Sequence, residues 1–182
     1  MIKIECPNLT ETVGASNYQI RFYEGDRDPH DEVRAPDGTK QLVLIVDDDP
    51  DSALSRSMLV QRAGYDAVTV SGLDAALATP ELIKRFGAQP PALILMDYNM
   101  PHIDGFTLAK ELKKLEIPLN VACITVTSVA DFRPTLLART IVEQLEGIGV
   151  PVCGGLEFAT NSRNVLRGLL SPALRVQTTQ SL

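Results

Sequence analysis

The sequence predicts an α/β protein with one parallel sheet that helices cover on both faces. From Leu42 onward, an apolar run, a polar loop and an amphipathic stretch follow one another five times. Alternating strands and helices of these lengths are typical of a doubly wound parallel sheet. The 182 residues are 45% hydrophobic, which is enough to bury the core of one main domain.

The five apolar runs are predicted strands because they are short and continuous, with polar loops between them. Continuous rather than alternating apolar character is expected of parallel strands that are buried on both faces. The predicted strands are Leu42 to Val46, Ala67 to Val70, Ala92 to Met96, Val121 to Val126 and Val150 to Cys153.

The helices between these strands have recognisable ends. The first is expected to begin at Pro50 after an Asp49 cap and to stop at Gly64. The second covers Leu73 to Phe86, and Pro80 is expected to break it or to insert a loop. The other three are expected at Gly105 to Leu115, Arg133 to Glu146 and Glu157 to Leu170.

Composition divides the chain into three parts. Residues 1–41 are polar and rich in Asp, Glu, Pro and Gly, which predicts an extension or linker. Short alternating pieces around Ile2 and at Tyr18 to Tyr23 favour strands or docking on the main body, and plain disorder is the alternative. Residues 42–170 form the predicted domain, and residues 171–182 form a C-terminal tail.

Composition also argues against several classes of partner and location. The net charge is −6 and the pI is about 4.9, whereas nucleic acids and anionic membranes are held by clustered Lys and Arg. A signal segment and a run of membrane-spanning length are both missing from the sequence, so a cytoplasmic protein is expected. Cys6, Cys123 and Cys153 have no metal-ligand spacing and are expected to be reduced structural thiols, the last two in buried strands.

Acidic residues follow two of the predicted strands. Asp47 and Asp48 end the first strand, and Asp97 ends the third, ahead of Asn99 and Pro101. If these strands are parallel neighbours, their carboxylates converge at one edge of the sheet, where ligands of such sheets bind. Converging carboxylates need a cation or protons to offset their charge, so the pattern predicts a divalent-metal site.

These motifs resemble those of the receiver domain of two-component response regulators. The acidic pair Asp47-Asp48 is similar to the family's pair, and Asp97, within Leu-Met-Asp-Tyr-Asn-Met-Pro, is similar to its phosphoacceptor. Thr127 follows Asp97 at the family's spacing, like the hydroxyl residue that binds the phosphoryl group. The resemblance covers Leu42 to about Leu170 and implies a flavodoxin-like (βα)5 fold with strand order 2-1-3-4-5.

The resemblance also implies the roles of these residues. Asp97 would accept a phosphoryl group, and Thr127 would donate a hydrogen bond to it. Mg²⁺ would be the cofactor, held by Asp47, Asp48, Asp97 and the backbone carbonyl of Asn99. A cation is needed there because a carboxylate nucleophile must approach a phosphorus that anionic oxygens surround.

The sequence departs from the family at the fifth strand. Receivers carry Lys-Pro at its end, whereas this chain has Gly154-Gly155, and its last lysine is Lys114. The family's switch aromatic is missing as well. A guanidinium from Arg133 or Arg163, or backbone N–H groups of the glycine pair, are the two substitutes considered for the missing cation.

Several polar residues near the motifs have simpler structural explanations. Asp49 and Asp51 are expected to cap and charge the start of the first helix. Asp104, with Gly105 after it, is expected to close the loop and cap the third helix. The two histidines, His30 and His102, lack partners at metal-ligand spacing and are expected to be solvated.

The leading hypothesis is a signalling receiver, not an enzyme beyond its own phosphotransfer and autodephosphorylation. Its expected partners are a histidine kinase or phosphotransfer protein and a downstream protein target, without nucleic acid or membrane. A homodimer through the fourth helix, fifth strand and fifth helix is an arrangement that the family implies. The alternatives are a phosphorylation-independent pseudo-receiver, which the missing Lys favours, and a haloacid-dehalogenase-type phosphatase, which the missing catalytic Lys opposes.

Overall fold

The computed structural model describes residues 18–23, 41–87, 90–115, 117, 119–125 and 136–170. Within them the chain forms six strands and five helices. The strands are β1 (Gln19–Tyr23), β2 (Leu42–Asp47), β3 (Asp66–Ser71), β4 (Leu93–Asp97), β5 (Val121–Thr125) and β6 (Val152–Gly154). The helices are α1 (Pro50–Arg62), α2 (Ala75–Phe86), α3 (Gly105–Lys113), α4 (Leu136–Gly147) and α5 (Gly155–Leu169).

All six strands belong to one sheet in the order β1-β3-β2-β4-β5-β6. Strands β2 to β6 are parallel to one another, and β2 lies between β3 and β4. When these five parallel strands are counted alone, their order is 2-1-3-4-5, which confirms the predicted topology. The reversal of strand order beside β2 is where such sheets place their ligand sites.

Strand β1 comes from the polar N-terminal part of the chain and extends the sheet at its β3 edge. It runs antiparallel to β3, with Gln19 opposite Ser71 and Tyr23 opposite Ala67. Of the interpretations left open for Tyr18 to Tyr23, the strand is therefore the one observed. Residues 1–17 and 24–40 lie outside the described residues.

The core consists of two apolar layers, one on each face of the sheet. Successive residues of a strand point to opposite faces. Leu44 and Val46 of β2 therefore pack among buried residues of α2 and α3. Val43 and Ile45 point to the other face and pack among buried residues of α1 and α5. The sheet is thus covered on both sides, and its functional groups emerge at the strand ends.

The expectation that Pro80 interrupts the second helix is wrong. Helix α2 runs without a break from Ala75 to Phe86, and Pro80 lies inside it. A proline there removes one backbone hydrogen bond. The flanking residues Thr79 and Ile83 are fully buried, so packing of this helix face offsets the loss.

The helices differ in length and in how apolar they are. Among the described residues, none is both long and apolar enough to cross a membrane.

Candidate functional site

Two buried carboxylates lie side by side at the carboxyl edge of the sheet. Asp47 is the last residue of β2 and Asp97 the last of β4, and the preceding residues Val46 and Met96 are paired across the two strands. Only 2% of Asp47 and 4% of Asp97 is exposed to solvent. Asp48 follows directly and is partly buried. The parallel register therefore brings the predicted acidic residues to one place.

A single guanidinium bridges the two carboxylates. Arg56 of α1 donates from Nη1 to Oδ2 of Asp47, and from Nη2 to Oδ1 of Asp97 at 2.8 Å. The Arg56 side chain is itself only 13% exposed. Hydrogen bonds between charged groups in such surroundings are the strong ones, and the two-pronged guanidinium suits two acceptors.

The position of Arg56 follows from the geometry of helix α1. The helix starts at Pro50, just after β2 ends, and Asp49 caps it by accepting a hydrogen bond from the Asp51 amide. Side chains in a helix lean toward its N-terminus. Arg56 lies between the buried residues Ala53 and Val60 of this helix, so its side chain reaches back over the sheet edge.

The remaining carboxylate oxygens are held by backbone amides. The Asp49 amide donates to Oδ1 of Asp47 at 3.0 Å, and the Asn99 amide donates to Oδ2 of Asp97 at 2.8 Å. All four oxygens of the pair thus accept a hydrogen bond. This arrangement fixes the orientation of both carboxylates.

The pocket disfavours negative charge in spite of these partners. Burial raises the pKa of Asp47 to about 6, although the Arg56 guanidinium and the Asp49 amide favour its charged form. The charges of Asp97 and Asp48 raise this pKa further. At Asp47, desolvation and like charges therefore outweigh one guanidinium, and additional positive charge beside this carboxylate would favour its ionised form.

The loop after β4 holds Asp97 against helix α3. The Gly105 amide donates to the Tyr98 carbonyl at 2.9 Å. A Cβ atom on Gly105 would lie 2.8 Å from the Asp97 carbonyl oxygen, so only glycine fits there. Asp104 caps α3 by accepting from the Thr107 amide at 2.7 Å, which confirms its predicted role.

The donor atoms fit a magnesium ion in chemistry, but Arg56 takes the central position. Mg²⁺ prefers carboxylate and carbonyl oxygens, and Asp47 and Asp97 already converge on one positive group. Among the described residues, no three acidic, His or Cys side chains cluster closely enough to hold a metal. The ligand roles of Asp47, Asp48, Asp97 and the Asn99 carbonyl stay predictions.

Other predicted residues lie outside the pocket or outside the described residues. Thr127, Arg133 and His30 belong to segments that the structure does not describe. Arg163 donates to the Arg62 carbonyl at 3.2 Å, at the far end of α1 from the pocket. His102 is half-exposed, has a φ of 66°, and places Nε2 at 3.4 Å from Oδ1 of Asp74.

Two glycines connect the end of β6 to the start of helix α5. Gly154 is buried and caps α5, and Gly155 is the first residue of that helix. The cation that contacts the two carboxylates is Arg56 of α1. Sequence reasoning missed Arg56, although its position at the edge of the apolar stripe of α1 was a usable signal.

Comparison with known proteins identifies the family of this chain. A family model described as the response regulator receiver domain matches residues 43–146. The two-component response regulator ARR22 of Arabidopsis thaliana is 35% identical over 89 residues, which are 49% of this chain and 58% of that protein. The alkaline phosphatase synthesis transcriptional regulatory protein PhoP of Bacillus subtilis is 28% identical over 83 residues, or 46% of this chain and 32% of PhoP. The chain thus covers less than two thirds of either relative.

Solved structures share the fold. The signal receiver domain of the NarL response regulator from Mycobacterium tuberculosis superimposes with a TM-score of 0.56 at 24% identity, covering 72% of this chain and 96% of that one. A CheY-like receiver domain from Methylobacillus flagellatus gives 0.52 at 17% identity, covering 72% and 99%. Since the family model spans more than half of the 182 residues, the chain belongs to the response regulator receiver domain family.

Proposed function

We propose that this receiver accepts a phosphoryl group on Asp97 with the help of Mg²⁺ and signals through contacts with other proteins. The observation that carries the proposal is the placement of Asp97 at the carboxyl edge of the sheet, next to Asp47. Its carboxylate is buried, oriented by the Asn99 amide and neighboured by a positive charge. An oriented carboxylate is a suitable nucleophile for phosphoryl transfer.

The proposed reaction is an in-line displacement at phosphorus. A carboxylate oxygen of Asp97 forms a bond to phosphorus while the bond from phosphorus to the donor's leaving group breaks, which leaves an acyl phosphate. The Asn99 amide holds the second carboxylate oxygen during this step. Hydrolysis of the acyl phosphate by water would return the free carboxylate and release phosphate.

Charge in the pocket would be managed by several of the chain's own residues. Asp47, Asp48, Asp97 and the Asn99 carbonyl would hold Mg²⁺, which would neutralise the oxygens of the incoming phosphoryl group. Thr127 would donate a hydrogen bond to one of those oxygens. In this proposal the acidic pair recruits the metal and Asp97 performs the chemistry.

The organisation and partners follow from the family and remain part of the proposal. The receiver would run from residue 42 to 170, with residues 1–41 as an extension and 171–182 as a tail, in the cytoplasm. A histidine kinase or a phosphotransfer protein would supply the phosphoryl group. A protein target would read the result, without direct nucleic-acid or membrane contact, and the surface of α4, β6 and α5 would serve output or dimer formation.

Mass spectrometry of the intact protein tests this function. The native chain and the variants Asp97→Asn and Asp51→Asn are incubated with a small acyl phosphate and Mg²⁺. Asp51 is an exposed acid in the first turn of α1 and serves as the matched control. We expect one phosphoryl adduct on the native chain and on Asp51→Asn, and none on Asp97→Asn.

An adduct that persists in Asp97→Asn would reject Asp97 as the acceptor. The absence of any adduct, in a native chain that also fails to bind Mg²⁺, would favour the phosphorylation-independent pseudo-receiver. The missing lysine at Gly154 is the observation that makes this second outcome worth testing.

A further inference from the structure

We propose that Arg56 is an internal cation that competes with divalent metal for the carboxylates of Asp47 and Asp97. The inference concerns the same pocket as the proposed function and rests on its assignment of the metal ligands. In the free protein the guanidinium would offset part of the negative charge of the pair, and a metal ion would bind only as Arg56 leaves the two carboxylates. The receiver would thus carry its own built-in competitor of Mg²⁺.

The contacts of Arg56 provide the first argument. One η-nitrogen bonds to each carboxylate, and the Nη2 to Oδ1 distance at Asp97 is 2.8 Å. Mg²⁺ binds oxygen ligands at roughly 2.0–2.1 Å in a near-octahedral arrangement. Because the guanidinium occupies the position between the two carboxylates, a metal ion bound to both of them would have to take its place.

Charge provides the second argument. Two buried acids, Asp47 and Asp97, lie side by side at this edge of the sheet, and Arg56 is bonded to both. A divalent ion and a guanidinium at the same two carboxylates would repel each other at short range. Two ligands that exclude each other from one site lower each other's apparent affinity by the same factor.

The location of Arg56 provides the third argument, because its side chain can move without unfolding the domain. It extends from the surface helix α1, and 13% of it remains exposed. Two exposed acids, Asp49 and Asp51, lie at the start of the same helix. A displaced guanidinium would therefore stay close to negative charge and to water.

Metal titration without any phosphoryl donor tests the inference. Calorimetry measures the Mg²⁺ affinity of the native chain, of Arg56→Gln and of the control Arg62→Gln, an exposed arginine on the same helix. We expect Arg56→Gln to bind Mg²⁺ about tenfold more tightly or better, a typical size for coupling between two ligands. Arg62→Gln should match the native chain. Unchanged or weaker binding by folded Arg56→Gln would overturn the proposal.

A second measurement uses the native chain and does not depend on the folding of a variant. Nuclear magnetic resonance follows the guanidinium signals of Arg56 as Mg²⁺ is added. We expect these signals to shift and to lose protection from exchange with water when the metal saturates the site. Signals that stay unchanged at metal saturation would show that Arg56 and the metal do not compete.

These results can be separated from a failure of the proposed function. Tighter Mg²⁺ binding by Arg56→Gln, combined with no phosphoryl adduct on Asp97, would support the competition and reject the phosphoacceptor role. An adduct on Asp97, combined with the same Mg²⁺ affinity in Arg56→Gln and the native chain, would support the phosphoacceptor role and reject the competition.

Discussion

Arg56 and Asp97 are joined by a hydrogen bond of 2.8 Å between Nη2 and Oδ1, although 41 residues separate them in the chain. The bond links helix α1 to the end of β4, across the intervening end of β2. The same guanidinium also holds Asp47. Arg56 therefore matters for both stability and the proposed function, since it offsets charge in the pocket and also contacts the proposed acceptor.

Replacing Arg56 by Met should destabilise the protein when no metal is present. The substitution leaves two buried carboxylates without their cation, and removing one partner of a buried ion pair typically costs ~3–5 kcal/mol. We expect the free energy of unfolding, measured by urea titration with a chelator present, to fall by about this amount. Because α1 lies on the domain surface, water entering the pocket should keep the loss near the lower value.

The control for this prediction is Arg62→Met on the exposed end of the same helix. Surface substitutions away from specific contacts usually change stability by less than ~0.5 kcal/mol. Equal unfolding midpoints for Arg56→Met and Arg62→Met would mean that the bridge contributes nothing to stability.

Replacing Gly105 by Ala should destabilise the end of β4. The added Cβ would lie 2.8 Å from the Asp97 carbonyl oxygen and 3.0 Å from Tyr98 Cα, and both of these are backbone atoms. The backbone must shift to make room, and overpacking of this kind typically costs ~1–3 kcal/mol. Urea unfolding measures the loss, and a lower rate of phosphoryl incorporation would report the displacement of Asp97.

Gly168→Ala is the matched comparison, because a Cβ at that position of α5 meets no atom within 4 Å. Alanine is favoured over glycine inside a helix by roughly 0.5–1 kcal/mol. Gly168→Ala should therefore be neutral or more stable than the native chain. If Gly105→Ala is also neutral or stabilising, the backbone at the end of β4 does not lie as close to Gly105 as the structure shows.

The two buried cysteines should resist alkylation at mildly alkaline pH. Burial raises the pKa of Cys153 to about 12 and raises that of Cys123 as well. A raised pKa means that folding disfavours the thiolate, so this contribution to stability is present at neutral pH and lost as the pH rises toward the shifted value. Between pH 7 and 9 an ordinary thiol gains roughly twentyfold in thiolate.

Peptide mapping after iodoacetamide treatment checks this prediction for each cysteine separately. We expect little labelling of Cys123 and Cys153 in the folded protein at pH 7 or 9, and rapid labelling of both in urea. If labelling of the folded protein instead rises with pH as it does for a free thiol, β5 and β6 open readily and expose their cysteines.

Most of the parallel sheet was predictable because its signal is local. A buried parallel strand is a continuous apolar run, and the predicted Ala92 to Met96 differs from β4, Leu93–Asp97, by one residue at each end. The convergence of Asp47 and Asp97 was also predictable, because parallel strands present their carboxyl ends at one edge of the sheet. The burial of Cys123 and Cys153 is confirmed for the same reason.

The features that were missed depend on contacts between distant parts of the chain. Pro80 is tolerated because the buried face of α2 packs on the sheet, and a propensity rule does not include that packing. Arg56 was overlooked because its role depends on where α1 lies relative to β4. The sequence suggested Arg163 instead, because the family has its cation near the fifth strand. In the structure, Arg163 donates a hydrogen bond to the Arg62 carbonyl at the end of α1.

Strand β1 should protect the edge of β3, and Ile20→Asp should remove that protection. Ile20 lies opposite Val70, packs against the main core and lines a cavity with Leu77 and Leu82 of α2. Replacing this partly buried isoleucine by aspartate removes about 0.75–1.5 kcal/mol of stabilisation by apolar burial, roughly half the value for a fully buried isoleucine. In Ile20→Asp, we expect the amides of β3 that face β1 to exchange faster with deuterium.

The control for this prediction is Arg21→Gln, at an exposed position in the same strand, which should leave the exchange of β3 amides unchanged. Unaltered β3 exchange in Ile20→Asp would refute the edge-protecting role of β1.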